Sequence, residues 1–408
     1  MGGLAAALLL SMETPSAALL AAKCMGEFLA YHALGTVLFD AVHAFAHGLP
    51  RRALLSRWHS CHHKFQGTSL KVMVQFEADN VMYHMTPEWL TALVPAAAVA
   101  AAGTPLSWVQ LTAIAYLAVR SVVFVVAGLI MKGQDSNHVE LERIEVDKAW
   151  LFVGPHYHAL HHVFPDRYLA SFVKVIDYVL GTAAPPHAGR RFVLTGAGGS
   201  LGSAFAARLR GEGARVSTLK YGQDYACVGD DGEAFAFAEA DAALDAALGE
   251  CDVLLLCHGV RSGDAAESVR GNCHSQLALI ERYRRCHEAA RRPASAMYPE
   301  VWCVGTEAEF YPLRPDTYGE SKREMLRHAA AYMQRTDLMY CHIVPAAFTS
   351  KRGPGLVNAE WVVHVSLWFI SRGAQYVPVS YTPFTYLHWL KMMCVQHRKA
   401  KHTLAKAT

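Results

Sequence analysis

The chain has 408 residues, a formal net charge of +3, 52% apolar side chains and 18% charged ones. That length predicts two or three domains, and the near-balanced charge gives no nucleic-acid footprint. The apolar share is high for a wholly soluble chain and low for membrane spans throughout, so part of the chain is expected in a membrane and part in water. Ten cysteines without a CxxC pair indicate neither a thiolate zinc site nor a disulfide framework, and read as buried or free thiols in a reducing compartment.

The first 23 residues, MGGLAAALLLSMETPSAALLAAK, lack a basic leader and read poorly as a secretory signal; Ala6 stands where myristoylation wants Ser or Thr. Residues 17–39 form an apolar run long enough to cross a bilayer. Residues 89–131 form a longer run, interrupted by AGTP at 102–105, and read as two spans or as a hairpin that returns to its own side. Arg120 lies inside that run and should face protein or snorkel. Arg51, Arg52, Arg57, Lys64 and Lys71 place the intervening loop on the cytoplasmic side, in an endoplasmic reticulum or plastid membrane. A Gly, Ala and Pro-rich stretch, GTAAPPHAGR, ends this first domain, 1–185.

The first domain is expected to be all-α. Its topology gathers histidines on one face of the membrane. His43 and His47 are four apart and share a helix face; His59, His62 and His63 follow in HSCHH; His138 stands alone; His158, His161 and His162 repeat the pattern in HALHH. His156 is a further candidate. Nine neutral nitrogen donors exceed the needs of one metal and imply two, with open positions for O₂ chemistry. Asp135 or Glu140 could orient a ligand from outside. Ligand type alone leaves iron and zinc both open.

HAFAH, WHSCHH and HYHALHH resemble the three histidine boxes of the membrane fatty acid hydroxylase/sterol desaturase superfamily, over roughly residues 30–180. The resemblance implies an integral membrane fold of helices, a non-haem centre of two irons, O₂, and a lipid substrate. It implies an external electron donor of the ferredoxin or cytochrome b5 type.

The remainder, 190–380, predicts an α/β Rossmann-like, doubly wound parallel sheet. RFVLTGAGGSLG opens with a strand ending at Thr195 and turns through Gly196, Gly198, Gly199 and Gly202 into a helix, a context suited to a pyrophosphate at a helix N-terminus. Lys220, after the second strand, favours a 2′-phosphate and hence NADP(H), although Asp224 lies close by. CDVLLLCHG is a buried parallel strand ending at Gly259, and Asn272 begins a later helix. Tyr318 and Lys322 are four apart on one helix face, a pair able to do acid–base work, with Thr306 able to bond a carbonyl oxygen. This part resembles the short-chain dehydrogenase/reductase superfamily, which implies a catalytic set of Asn272, Thr306, Tyr318 and Lys322. Threonine for the usual serine, and Cys257-His258-Gly259 for the usual Asn-Asn-Ala-Gly type segment, depart from the pattern. Residues 381–408 read as an amphipathic and basic tail that lies on a membrane surface or packs on the sheet.

The whole chain resembles the bifunctional sterol desaturase/short-chain dehydrogenase type. The expected activity is O₂-dependent hydroxylation or desaturation of a membrane lipid, coupled to NADP(H)-dependent alcohol/carbonyl interconversion. Alternatives are a lipid hydroxylase with a silent nucleotide-binding module, a wax-pathway aldehyde-processing enzyme, and an inactive metal-binding membrane scaffold.

Overall fold

A computed structural model describes residues 16–103, 105–132, 135–219, 242–290, 292–293, 296–310, 316–351 and 353–397. Lys220 and Asp224, and the last residues of the basic tail, lie outside the described residues. The chain divides into two compact units. The first comprises residues 1–67, 71–139 and 170–176; the second comprises 68–70, 140–169 and 177–408.

The first unit is all helical. Helix α1 (Ala17–Gly48) starts where Ser16 Oγ accepts from Leu19 N at 3.3 Å, and stops just before Pro50. Helix α2 (Leu54–Phe65) carries the second histidine box. A nearly continuous helical stretch follows: α3 (Glu77–Asn80), a π turn (Val81–Met85) and α4 (Thr86–Thr91). The long apolar run of the sequence then breaks. Helix α5 (Val94–Ala101) has only eight residues, too few to span, because Pro95 cannot continue the hydrogen-bond ladder of α4. Helix α6 (Trp108–Ile130) is long and apolar, and begins with a capping box between Ser107 and Gln110. Of the described helices, α1 and α6 are long and apolar enough to cross a membrane, with mean hydropathies of 1.3 and 2.3. They pack closely on their neighbours through small residues. A Cβ on Gly35 of α1 would lie 2.4 Å from Ala92 Cα, so only glycine fits there.

The second unit is a parallel α/β sheet. Its described strands are β1 (Arg191–Thr195), β2 (Arg215–Leu219), β3 (Val253–Leu256), β4 (Glu300–Val304), β5 (Met339–Pro345) and β6 (Tyr376–Val379), in the order β2-β1-β3-β4-β5-β6. Every pairing is parallel. Strands β3 and β4 are buried along their whole length, as expected for a sheet covered on both faces. One face packs on α8 (Ser200–Gly211) and α13 (Ala359–Ile370), the other on α9 (Ala242–Glu250), α11 (Ser275–Ala289) and α12 (Thr317–Met333). Between α9 and α11 lie α10 (Ala265–Val269) and a second π turn (Arg270–His274). Because β2 and β3 lie on opposite sides of β1, the chain reverses direction at the carboxyl ends of β1 and β3. That crevice is where open α/β sheets bind ligands. Helix α7 (Pro155–Val163), with the third histidine box, belongs to this unit by packing. The last described helix, α14 (Pro383–Gln396), buries Met392 in the sheet core while Phe384, Leu387 and Leu390 stay exposed.

Candidate metal centre and nucleotide site

In the first unit, α1 and α2 turn their histidines toward one another. His43, His47 and His59 bring ligand nitrogens within 4.8 Å of each other, and His62 does so with His138. His43 Nε2 and His47 Nε2 are 3.2 Å apart, His59 Nε2 and His63 Nε2 2.8 Å, and His62 Nδ1 and His138 Nε2 3.0 Å. On α7 of the second unit, His158 Nε2 and His162 Nε2 are 3.2 Å apart. Two nitrogens bound to one ion at about 2.1 Å are themselves about 3.0–3.4 Å apart. The spacings of 3.0 and 3.2 Å fit shared coordination of a first-row metal, whereas the 2.8 Å between His59 and His63 is a hydrogen-bond distance, and His63 joins neither histidine group found among the described residues. Burial, then the nearby His47 and His138 rings, pushes His63 down to about 3, and burial with four neighbouring imidazoles holds His59 well below its usual range. Neutral rings keep the lone pair a metal needs.

Two rings are oriented from behind. His138 Nδ1 donates to Asp135 Oδ1 at 2.9 Å, and His161 Nδ1 donates to the Arg167 carbonyl at 3.0 Å, which leaves Nε2 of each as the ligand atom. Asp135 holds the orienting position expected for it or Glu140, and Glu140 is exposed. His156 is only half-buried and joins neither histidine group found among the described residues.

A tenth ring lies among these. His84, on the first π turn, is buried and stacks on His62 at 3.8 Å between centroids, with His59 at 5.6 Å and His43 at 6.0 Å. No box spacing marks it in MYHMTPEW. A histidine on an interrupted helix flanked by acidic and Pro residues was the available signal, and it is weak.

In the second unit a cavity of about 410 Å³ opens at the carboxyl ends of the strands and is lined by Gly199, Gly202, Gly259, Thr306, Tyr318 and Lys322, among others. Gly196 has φ +73°, and a Cβ there would meet the Cys257 backbone at 2.7 Å; one on Gly202 would meet Gly196 O at 2.3 Å. The turn therefore admits only glycine at both positions. Gly198 O accepts from Lys351 Nζ at 3.2 Å, so a cation already lies over the glycine turn.

Gly196, Gly198, Thr195 and Asn272 do not line the cavity. Asn272 acts behind it. Its Oδ1 accepts from Val260 N at 2.9 Å, while its Nδ2 donates to Val260 O at 2.7 Å and Ser321 Oγ at 2.9 Å. It ties the loop after β3 to α12. Thr195 is likewise interior: Oγ1 bonds His258 Nδ1 at 2.7 Å, and His258 Nε2 bonds Ser275 Oγ at 2.9 Å. Burial, then the Lys322 ammonium, lowers His258 to about 3, so the ring is a neutral bridge between β1 and α11. The Cys-His-Gly departure thus carries its own bracing.

Lys322 Nζ donates to Val304 O at 2.9 Å at the cavity floor. The Thr306 loop is fixed from inside by a fully buried pair, His342 Nε2 to Glu309 Oε1 at 3.1 Å. Burial alone would lower His342, but the Glu309 carboxylate outweighs it and holds the ring up at about 9.

Residues 192–377 match the NAD dependent epimerase/dehydratase family. Comparison with curated proteins finds no match to the chain. Solved structures similar to the second unit include a short-chain dehydrogenase from Burkholderia cenocepacia in complex with NADP (15% identity, 50% of this chain and 94% of that one, TM-score 0.38). Others are a short-chain dehydrogenase from Sphingobium yanoikuyae in complex with NADPH (15%, 54% and 98%, 0.38) and a bulky-bulky ketone specific alcohol dehydrogenase from Comamonas testosteroni (14%, 53% and 97%, 0.37). The second unit is a Rossmann-type nucleotide fold, and the first is an all-α region of membrane-length apolar helices with clustered histidines.

Proposed function

We propose that the protein is a membrane lipid oxidoreductase with two chemistries. The histidine boxes (His43, His47, His59, His62, His63, His138, His158, His161 and His162, with His84 added) supply the donors for two non-haem irons. The nitrogen spacings near 3 Å among these rings carry this reading. Bound iron supplies O₂ activation for hydroxylation or desaturation of an unactivated C–H bond. Hydroxylation uses two electrons and two protons per O₂: one oxygen atom enters the lipid and the other leaves as water. The electrons come singly from an external ferredoxin or cytochrome b5 type donor. Asp135 and the Arg167 carbonyl orient His138 and His161, and burial excludes bulk water.

In the second unit NADP(H) supplies the hydride for alcohol/carbonyl interconversion. Gly199 and Gly202 allow the pyrophosphate to approach the N-terminus of α8. The Tyr318 phenol gives or takes the proton at the substrate oxygen, the Thr306 hydroxyl holds that oxygen, and Lys322 lines the same cavity. A fused arrangement keeps a poorly soluble intermediate near both chemistries. The histidine boxes and nucleotide domain face the cytoplasmic side.

The test is elemental analysis of detergent-purified full chain beside His62→Ala and His161→Ala. The expectation is about two irons per chain, from the two-metal donor count, with loss in each variant. Zinc alone, or iron unchanged in both variants, would sink the oxygenase reading.

A further inference from the structure

The cavity at the carboxyl ends of the strands is lined by three cationic side chains, Arg261, Lys322 and Lys351, and by no carboxylate among the described residues. Two further groups in the lining are neutral at pH 7: burial lowers the His258 ring and raises the Cys257 thiol. A cleft lined by one sign of charge draws the opposite sign. The pyrophosphate of a dinucleotide carries two negative charges, so one of the three cations is left for another anion.

Position says which cation that is. Lys351 belongs to the glycine turn, where its Nζ donates to Gly198 O at 3.2 Å and its N–H to Ser200 Oγ at 3.3 Å. Lys322 donates to Val304 O at the floor. Arg261 instead lies against the Tyr318 ring, its guanidinium carbon 6.0 Å from the ring centre. It is exposed and makes no ion pair among the described residues. The acids nearest to it in sequence are engaged elsewhere: Asp264 Oδ1 accepts from Glu267 N at 2.8 Å at the start of α10, and Glu267 accepts from Ser262 Oγ.

The backbone on both sides of Arg261 is pinned. The Asn272 amide bonds both Val260 N and Val260 O, and Ser262 O accepts at 2.6 Å from Oγ1 of Thr317, the residue before Tyr318. The arginine therefore stands beside the phenol before any ligand arrives, which lowers the ordering cost of binding. A guanidinium meets a carboxylate through two parallel N–H···O bonds of about 2.7–2.9 Å. An anion held that way sits beside the carbon whose oxygen the phenol serves.

We propose that Arg261 is the specificity-determining residue of this site and that the substrate is an acid: a 2-oxo acid or the matching 2-hydroxy acid, its carboxylate held by the guanidinium. This rests on the reading of the second unit as an NADP(H)-dependent alcohol/carbonyl enzyme and names its substrate class. In the reducing direction a hydride passes from NADPH to the oxo carbon as the C=O π bond breaks, Tyr318 gives its proton to the oxygen, and water returns a proton to Tyr318. The products are the 2-hydroxy acid and NADP⁺.

The test is equilibrium binding of 2-oxohexanoate and of hexan-2-one, in which methyl replaces the carboxylate, to the detergent-purified full chain with NADP⁺ present. The acid is expected to bind about tenfold or more tightly than the ketone. Arg261→Met is expected to erase that preference by weakening the acid alone, with NADP⁺ affinity retained as the check on folding. Arg261→Lys keeps the charge without the planar fork and should retain part of the preference. A ketone that binds the unaltered chain as tightly as the acid, or a preference that survives Arg261→Met, overturns the proposal. NADPH oxidation followed with the same two compounds separates the two readings. Acid preference without NADPH oxidation keeps the role of Arg261 and removes hydride transfer; oxidation without acid preference does the reverse.

Discussion

Helix α6 turns Val119, Val122, Val123, Val126 and Ile130 outward and keeps Ser121 and Gly128 inside, whereas β3 buries every residue from Val253 to Leu256. The contrast holds across both units. The first buries Asp40, His43, His59, His62, Asn80, His84 and His138; the second buries two large apolar clusters on either face of its sheet. A core of imidazoles has little hydrophobic driving force of its own, and an apolar exterior is stable only against lipid. A core of Val, Leu and Ile holds itself together in water. The first unit, and the histidine helix α7 of the second, therefore depend on what binds them, and the parallel sheet does not.

Chelation should expose this difference most strongly. Stripping metal from detergent-purified protein is expected to lower the unfolding midpoint of the histidine-rich helices by about 10 °C or more, since metal binding free energy is folding free energy. The midpoint of the parallel sheet, apart from α7, should stay put. Hydrogen exchange resolved by peptide reads both at once, and equal protection in both units after chelation would erase the contrast.

The next effect is chemical. Tyr318→Phe should cut NADPH-dependent carbonyl reduction by about 10²-fold or more while leaving nucleotide affinity and metal content unchanged. Stopped-flow nicotinamide absorbance and a nucleotide titration separate these. Full activity in the variant would leave the second unit as a binding module only.

The smallest effect concerns a charged pair sealed in the apolar unit, His342 and Glu309. His342 is held up at about 9, above its ordinary value of 6.5. The protonated ring therefore stabilises the fold fully below about pH 6.5, and that contribution fades as pH rises through about 9. The sheet unit's stability should fall across that window. Glu309→Gln should flatten the dependence and cost about 3 kcal/mol at neutral pH. Urea melts of the second unit between pH 6 and 9 measure it, and a slope identical in the variant would locate the dependence elsewhere.

The parts of this molecule readable from sequence are those set by short-range spacing. Gly196 and Gly202 announce a turn because the backbone passes too close for any side chain, and that constraint is local. His158 and His162 meet because a helix brings positions four apart together. What escaped reading depends on distant chain. His84 joins the histidines through the packing of α2 against the first π turn, and nothing in its neighbours' spacing says so. The run 89–131 looked like two limbs by hydropathy, yet Pro95 leaves one limb too short. Asn272 reads as a catalytic residue in order along the chain; in space its amide is spent on Val260 and Ser321.

The π turn at Val81–Met85 has one more consequence. Such a turn holds an extra residue inside an otherwise regular helix, so α3 and α4 are out of phase by about 100°, the angle one residue sweeps. Removing a single residue there would let the segment relax into an unbroken helix. Every side chain on one side would then swing by that angle relative to the other, carrying the His84 ring off His62 without altering any histidine. The segment is thus sensitive to length rather than to composition.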